Sequence, residues 1–268
     1  MLPVLLAFLP AAAAFELNPE DRPWQLQFHG ELGFVGILSH RLQFGKDGTD
    51  FDLKNDGGQS TLFPFARAEV DLKLKRHTIT LLYQPLDIRT RVNLVDPLVA
   101  FDTTFAAGTP VELRYGFSFW RGSWTYDVAP GDLEVRLGLS LQIRNAELEW
   151  GSLDGEQFES VRNVGPVPIL KAAVRGDLSN SVWAAFEIDG FYAPIAYING
   201  SDTDVIGAIV DTSARIGLKG PDGIKPFLNV RWIGGGAQGT SRPDDPGQDG
   251  FTRNWLHSVA LSVGARLE

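Results

Sequence analysis

The side chains suited to acid–base or nucleophilic chemistry are few. The chain holds four histidines, His29, His40, His77 and His257, and no cysteine. Thiol nucleophiles, disulfides and Cys-ligated metals are therefore excluded. Glu31 lies two residues from His29, a spacing that puts both on one face of an extended segment and lets a carboxylate orient a general base. Ser39–His40 and His257–Ser258 set a hydroxyl beside an imidazole, the parts of an activated nucleophile. Direct neighbours in a strand point to opposite faces, so each serine turns away from its own histidine. No P-loop, dinucleotide fingerprint, zinc spacing or calcium loop is present, and neither a metal nor a cofactor is expected. The larger polar group is Glu112, Arg114, Arg121, Arg136, Arg144, Glu147, Arg175, Glu187, Asp189, Arg215 and Arg231, set at alternate positions among apolar residues. Interleaved arginines and carboxylates suit crossed ion pairs or the binding of a polar ligand.

What positions these residues follows from composition. The 268 residues are 44% hydrophobic and 21% charged, with a mean hydropathy of −0.05. The length fits one large domain or two small ones. Plentiful aromatics argue against disorder. Against 33 acidic residues stand 24 basic ones, and the net charge of −9 repels nucleic acid. After residue 15 no stretch approaches the ~18 consecutive apolar residues of a spanning helix. Polar and apolar residues are mixed finely.

The first fourteen residues, MLPVLLAFLPAAAA, read as the apolar region and small-residue cleavage site of a secretory signal peptide, although no basic residue precedes Arg22. Residues 15–23 are expected to be a periplasmic N-terminal segment and 24–268 a single domain.

That domain alternates with a period of two. Trp24–Phe44 does so without a break, far longer than an ordinary globular strand. In Leu133–Ile143, Leu, Val and Ile oppose Glu134, Arg136, Ser140 and Gln142. Phase slips of the kind a β-bulge makes are expected near Pro85, near Phe119–Trp120 and near Asn145. Each slip would return charges to the polar face: Asp87, Arg89 and Arg91 after the first, Arg121 after the second, Glu147 and Glu149 after the third. Ten strands are counted, joined by alternating long and short connections. This predicts an all-β fold: a closed antiparallel up-and-down transmembrane β-barrel of about ten strands, with eight or twelve as the other counts considered. A soluble barrel would invert the faces; strand length and the charge density of the polar face favour the membrane. The expected lumen adds Glu31, Arg67, Glu69, Asp71, Lys73, Glu134, Lys171, Asp211, Arg89 and Arg91 to the eleven polar residues above. Trp24, Phe44, Phe63, Phe65, Trp150, Tyr192, Trp232, Phe251 and Trp255 are expected at the membrane interfaces.

The stretches FDTTFAAGTPVELRYGFSFWRGSWTYDV (101–128) and LEVRLGLSLQIRNAELEW (133–150) resemble a family of uncharacterised bacterial outer-membrane β-barrel proteins. VGPVPILKAAVRGDL (164–178), IDGFYA (188–193) and NWLHSVALSV (254–263) look like its later strands. The resemblance implies an outer-membrane barrel and brings no activity. Such barrels end on an aromatic read by the barrel-assembly machinery, whereas this chain ends Arg266-Leu267-Glu268.

The resulting expectation is a barrel of the Gram-negative outer membrane with a charge-filled lumen, external loops and a structural or binding role. Its partners would be outer-membrane lipid, lipopolysaccharide and the assembly machinery, and no nucleic acid. Two alternatives accompany it. One is a narrow, porin-like path for small polar solutes through the same lumen. The other is a lipid-modifying hydrolase using His40, His257 and Ser258, with both histidines brought together on the lipid side where the first and last strands pair.

Overall fold

The computed structural model describes residues 24–129, 131–194, 204–220, 223–240 and 249–268. The segments assigned to a signal peptide and a periplasmic lead lie outside these. Strands β1 (Trp24–Phe44), β2 (Phe51–Asp52), β3 (Leu62–Leu74), β4 (His77–Gln84), β5 (Asp87–Asn93), β6 (Leu98–Ala100) and β7 (Thr103–Phe105) fill the first part of the chain. They are followed by β8 (Pro110–Asp127), β9 (Leu133–Ser152), β10 (Phe158–Asp177), β11 (Val182–Pro194), β12 (Ile206–Leu218), β13 (Ile224–Thr240) and β14 (Phe251–Leu267). Wall neighbours pair antiparallel in chain order, and β14 pairs with β1 to close the cylinder. β4 and β5 form one wall strand, since Gln84 faces Phe119 and Asp87 faces Gly116 of β8 without a change of register. The interruption falls at Pro85, which has no N–H for the ladder. The wall thus has ten strands. β2 lies against the end of β1, and β6 and β7 form a separate hairpin.

On the outside, Leu137, Leu139, Leu141 and Ile143 of β9 are each at least half exposed, as are Leu32 and Phe34 of β1, Leu170 of β10 and Leu261 of β14. An apolar belt this large does not face water in a soluble monomer; it is the lipid face. From Leu133 to Ile143 it has the length of about 9–11 residues that a tilted strand needs to cross the hydrocarbon.

The strands do not stop there. β9 continues to Ser152, so its last turns rise roughly 20 Å beyond the lipid at the usual rise and tilt. In this outer part the two faces exchange chemistry. Arg114, Glu147 and Glu149 face outward, while Val111, Leu113, Tyr115, Ala146, Leu148 and Trp150 point inward and are buried. Phe51 and Leu53 from one loop and Leu98, Ala100 and Phe105 from the β6–β7 region close over them as one apolar core. Full burial of each large side chain contributes about 1.5–3 kcal/mol. The upper barrel is built like a soluble one on top of a membrane one.

The three expected bulges are absent. β8–β9 and β9–β10 keep one register along their whole length, and β4 and β5 share theirs against β8. What reads as a slip in sequence is the exchange of solvent on either side of an unbroken strand. Among the described residues, the one wall bulge falls where alternation looked perfect: between Ile37 and Ser39 of β1, against β14. Leu38 stays on the lipid face, and His40, Leu42 and Phe44 swing inward. Phe44, Phe65 and Trp150, expected at the interface, are buried inside.

Candidate functional site: the barrel interior

Alternation sends every second residue of each wall strand inward, and in the membrane half these are polar. The centre is Asp211 of β12. Its Oδ2 accepts from Arg67 Nη1 of β3 at 3.1 Å and Arg121 Nη1 of β8 at 3.0 Å, and its Oδ1 from Arg231 Nη1 of β13 at 2.5 Å. Arg67 also donates to Glu69 at 2.5 Å and to Gln84 of β4 at 3.0 Å. Arg121 is held by Gln142 of β9 through Nε at 3.0 Å and Nη2 at 2.7 Å, and it pairs with Asp189 of β11 at 2.9 Å. Lys171 of β10 reaches Glu187 and Asp189, both at 3.0 Å. Glu31 of β1 pairs with Arg215 at 3.0 Å and accepts from Asn229 at 2.7 Å and Ser262 of β14 at 2.9 Å. Each of the ten wall strands supplies a member. Arg121 and Arg231 are 0% and 1% exposed, and a charge in so narrow a space requires a partner.

Several expected lumen residues lie elsewhere. Glu112, Arg114 and Glu147, with Arg89 and Arg91, face outward above the lipid belt, because the strands carry no slip to turn them in. There they form their own lattice. Arg114 pairs with Asp87 at 2.9 Å, Glu147 at 2.8 Å and Glu149 at 3.1 Å, Arg91 pairs with Glu112 at 2.7 Å, and Arg162 pairs with Glu147. Partial burial pushes the Asp87 carboxyl up, but hydrogen bonds from Arg114 and Arg89 outweigh it and hold it below the ordinary range. Beside the lattice, Glu112, Arg114, Glu149, Asp154 and Phe158 line a cleft of about 330 Å³. Of the other candidates, Arg121, Arg136, Arg175, Glu187, Asp189, Arg215 and Arg231 face the lumen, and Arg144 faces inward at the junction, opposite Phe119.

The residues weighed for hydrolysis are not assembled. His40 is fully buried on the inside, edge-on to Tyr115 at 4.4 Å, with its Nδ1 2.8 Å from Gln59 Oε1. Burial pushes its pKa down to about 4 and the Tyr115 phenol up to about 12. Ser258 points inward and donates to the Ile233 carbonyl at 3.2 Å. His257 points outward, stacked on Trp232 at 5.8 Å. The Leu38 bulge moves Ser39 to the outer face opposite His257, yet no hydrogen bond joins them, and His257 Nδ1 has no partner. His29 is 3.4 Å from Asp71 rather than paired with Glu31.

Sequence reasoning missed the amides Gln84 and Asn229 and gave Gln142 no role beyond its place on the polar face; each holds one charged member of the network, Arg67, Glu31 and Arg121 respectively. Their even spacing on the same faces as the charges was the available signal.

A closed wall, an apolar outward belt and a polar interior define a transmembrane β-barrel of the outer-membrane type, the class that resides in bacterial outer membranes. No model of a known protein family matches the sequence, and no curated protein does. Among solved structures the chain is similar to the outer membrane protease OmpT from Escherichia coli, at 9% identity over 90% of this chain and 96% of that one, with a TM-score of 0.48. It is also similar to a Pseudomonas aeruginosa FadL homologue, at 8% identity over 91% and 90%, TM-score 0.41. A third is Ail, the attachment invasion locus protein of Yersinia pestis, at 9% identity over 91% and 99%, TM-score 0.38.

Proposed function

We propose that the chain is a non-conducting outer-membrane barrel that holds a rigid, charged stump above the lipid as a structural and binding surface. The observation that carries this reading is the network around Asp211, which joins all ten wall strands across the lumen beneath a separate apolar core. Two layers of opposite chemistry in series leave a hydrated solute no continuous polar route, which disfavours the narrow-channel reading. The proposed binding surface is the outer wall, where the Arg114 lattice and its cleft stand just above the belt, at the level of phosphorylated lipid head groups such as those of lipopolysaccharide. Arginine forks match phosphate oxygens, and Arg89, Arg91 and Arg162 are more than half exposed. Reconstituted into planar bilayers, the purified protein is expected to give no unitary current steps. Steady steps of one amplitude across several preparations would overturn the reading.

A further inference from the structure

A second site lies at the other end of the lumen. The central network is balanced: Arg67, Arg121, Lys171, Arg215 and Arg231 meet Glu31, Glu69, Glu187, Asp189 and Asp211. Towards the short-turn, periplasmic end, Lys73, Arg136, Arg175, Lys225 and Arg266 share the inward phase with Asp71, Asp127, Glu134 and Glu268.

There a pocket of about 30 Å³ is lined by four arginines, Arg136, Arg175, Arg215 and Arg266, against the single carboxylate of Glu187, with His29 and Ser213 in its wall. That is roughly twice the ~10–15 Å³ needed to admit one water. Six of its buried polar atoms make no hydrogen bond: the donors Arg175 Nη1, Arg215 Nε, Arg266 Nε and Ser213 Oγ, together with His29 Nε2 and Glu187 Oε1. Of these, Arg175 Nη1 stands 3.8 Å from Glu268, His29 Nε2 3.4 Å from Asp71 and Glu187 Oε1 3.7 Å from Arg67. Arg266 and Arg215 are 7% and 9% exposed. Their Nη2 atoms are held, Arg266 by Gln27 at 2.6 Å and Glu268 at 2.5 Å, and Arg215 by Glu31 at 3.0 Å. The guanidiniums are therefore held in place with one donor edge free. A buried donor without a partner has lost its water uncompensated, and three guanidinium donors lining one pocket beside a hydroxyl match the several acceptor oxygens of a tetrahedral oxyanion.

We infer that this pocket binds a small phosphate-type oxyanion from the periplasmic side. The balanced network above it makes the pocket a dead end, so the ligand is held and not passed on. The Arg175 guanidinium lies over the Trp183 ring at 4.5 Å, which places a fluorophore in contact with the site.

The test titrates inorganic phosphate into the full chain, folded in detergent, and follows Trp183 fluorescence and heat of binding at constant ionic strength. Saturable binding is expected in the wild type, at least tenfold weaker in Arg266→Gln and Arg175→Gln, and unchanged in Arg253→Gln, whose side chain pairs with Asp50 away from both the lumen pocket and the Arg114 lattice. Trp183→Phe is expected to abolish the optical change and keep the heat. A variant counts only if it retains the heat-modifiable mobility of a folded barrel. A measurement needing no variant compares melting: phosphate is expected to raise the wild-type unfolding temperature above that in chloride of equal ionic strength. Absence of saturable phosphate binding, or wild-type binding in both lumen variants, overturns the inference. So does equal stabilisation by chloride.

Discussion

Asp211 accepts from three guanidiniums at once, and its loss cannot be absorbed by one neighbour. Asp211→Asn keeps the shape but removes the charge that Arg67, Arg121 and Arg231 share. It is expected to lower stability by about 3–5 kcal/mol, as when one partner of a buried pair is removed; unfolding in urea followed by gel mobility checks this, and a wild-type midpoint would refute it. His40 makes a different prediction. Burial lowers its pKa to about 4, below the ordinary 6.5 of a solvated imidazole, so between these values the unfolded chain binds more protons. The neutral ring's contribution is therefore complete above about pH 6.5 and is lost as pH falls towards 4. A shift of this size amounts to about 3 kcal/mol at most. His40→Gln is expected to flatten this acid limb in melting temperatures measured from pH 7 to pH 4; an acid limb of unaltered depth would rule it out.

Along a strand, the same residue type has opposite consequences on either side of the membrane boundary. Leu139→Arg places a charge in lipid and is expected to cost about 2–4 kcal/mol. Glu149→Ala removes an exposed charge from the same outward face and is expected to change stability by under about 1 kcal/mol. Paired denaturation curves in lipid vesicles test this, and equal losses would contradict the boundary drawn after Ile143. Strand β9 also shows how far the sequence could be read. Leu133–Ile143 states its two faces openly, because lipid and lumen make opposite demands there. Beyond Asn145, Glu147 and Glu149 look like a return of the lumen face only if the outside is still taken to be lipid. Once the strand stands in water, charge belongs outside and Leu148 and Trp150 belong within. In β1 the change of surroundings coincides with a bulge, and the two cancel: Leu42 and Phe44 continue an apolar pattern that has changed sides. The central ion pairs were legible because no bulge separates Arg67 from Asp71 or Arg121 from Thr125. The Arg114 lattice and His40 were not, since their faces depend on where the membrane ends, which alternation alone does not encode.

The whole cylinder depends on its seam. β1 meets β14 as Ile37 opposite Ser258 and then Ser39 opposite His257, with Leu38 as the extra residue. A shift of one residue there would turn Glu31 to lipid and Leu32 into the lumen, reversing every side chain of the strand. Deleting Leu38 forces that conflict on one half or the other and is expected to abolish the compact, heat-modifiable form. Leu38→Ala preserves the extra residue and is expected to fold. If the deletion variant folds with wild-type mobility, the bulge has no such role. The first and last wall strands meet across a curve of nine other neighbouring pairs. At that meeting Glu31 finds Arg215, Asn229 and Ser262 only in one alignment. The joint therefore acts as a check on the work that precedes it: a chain threaded one residue out arrives with its charges facing lipid, and the ring stays open for correction instead of shutting on the error.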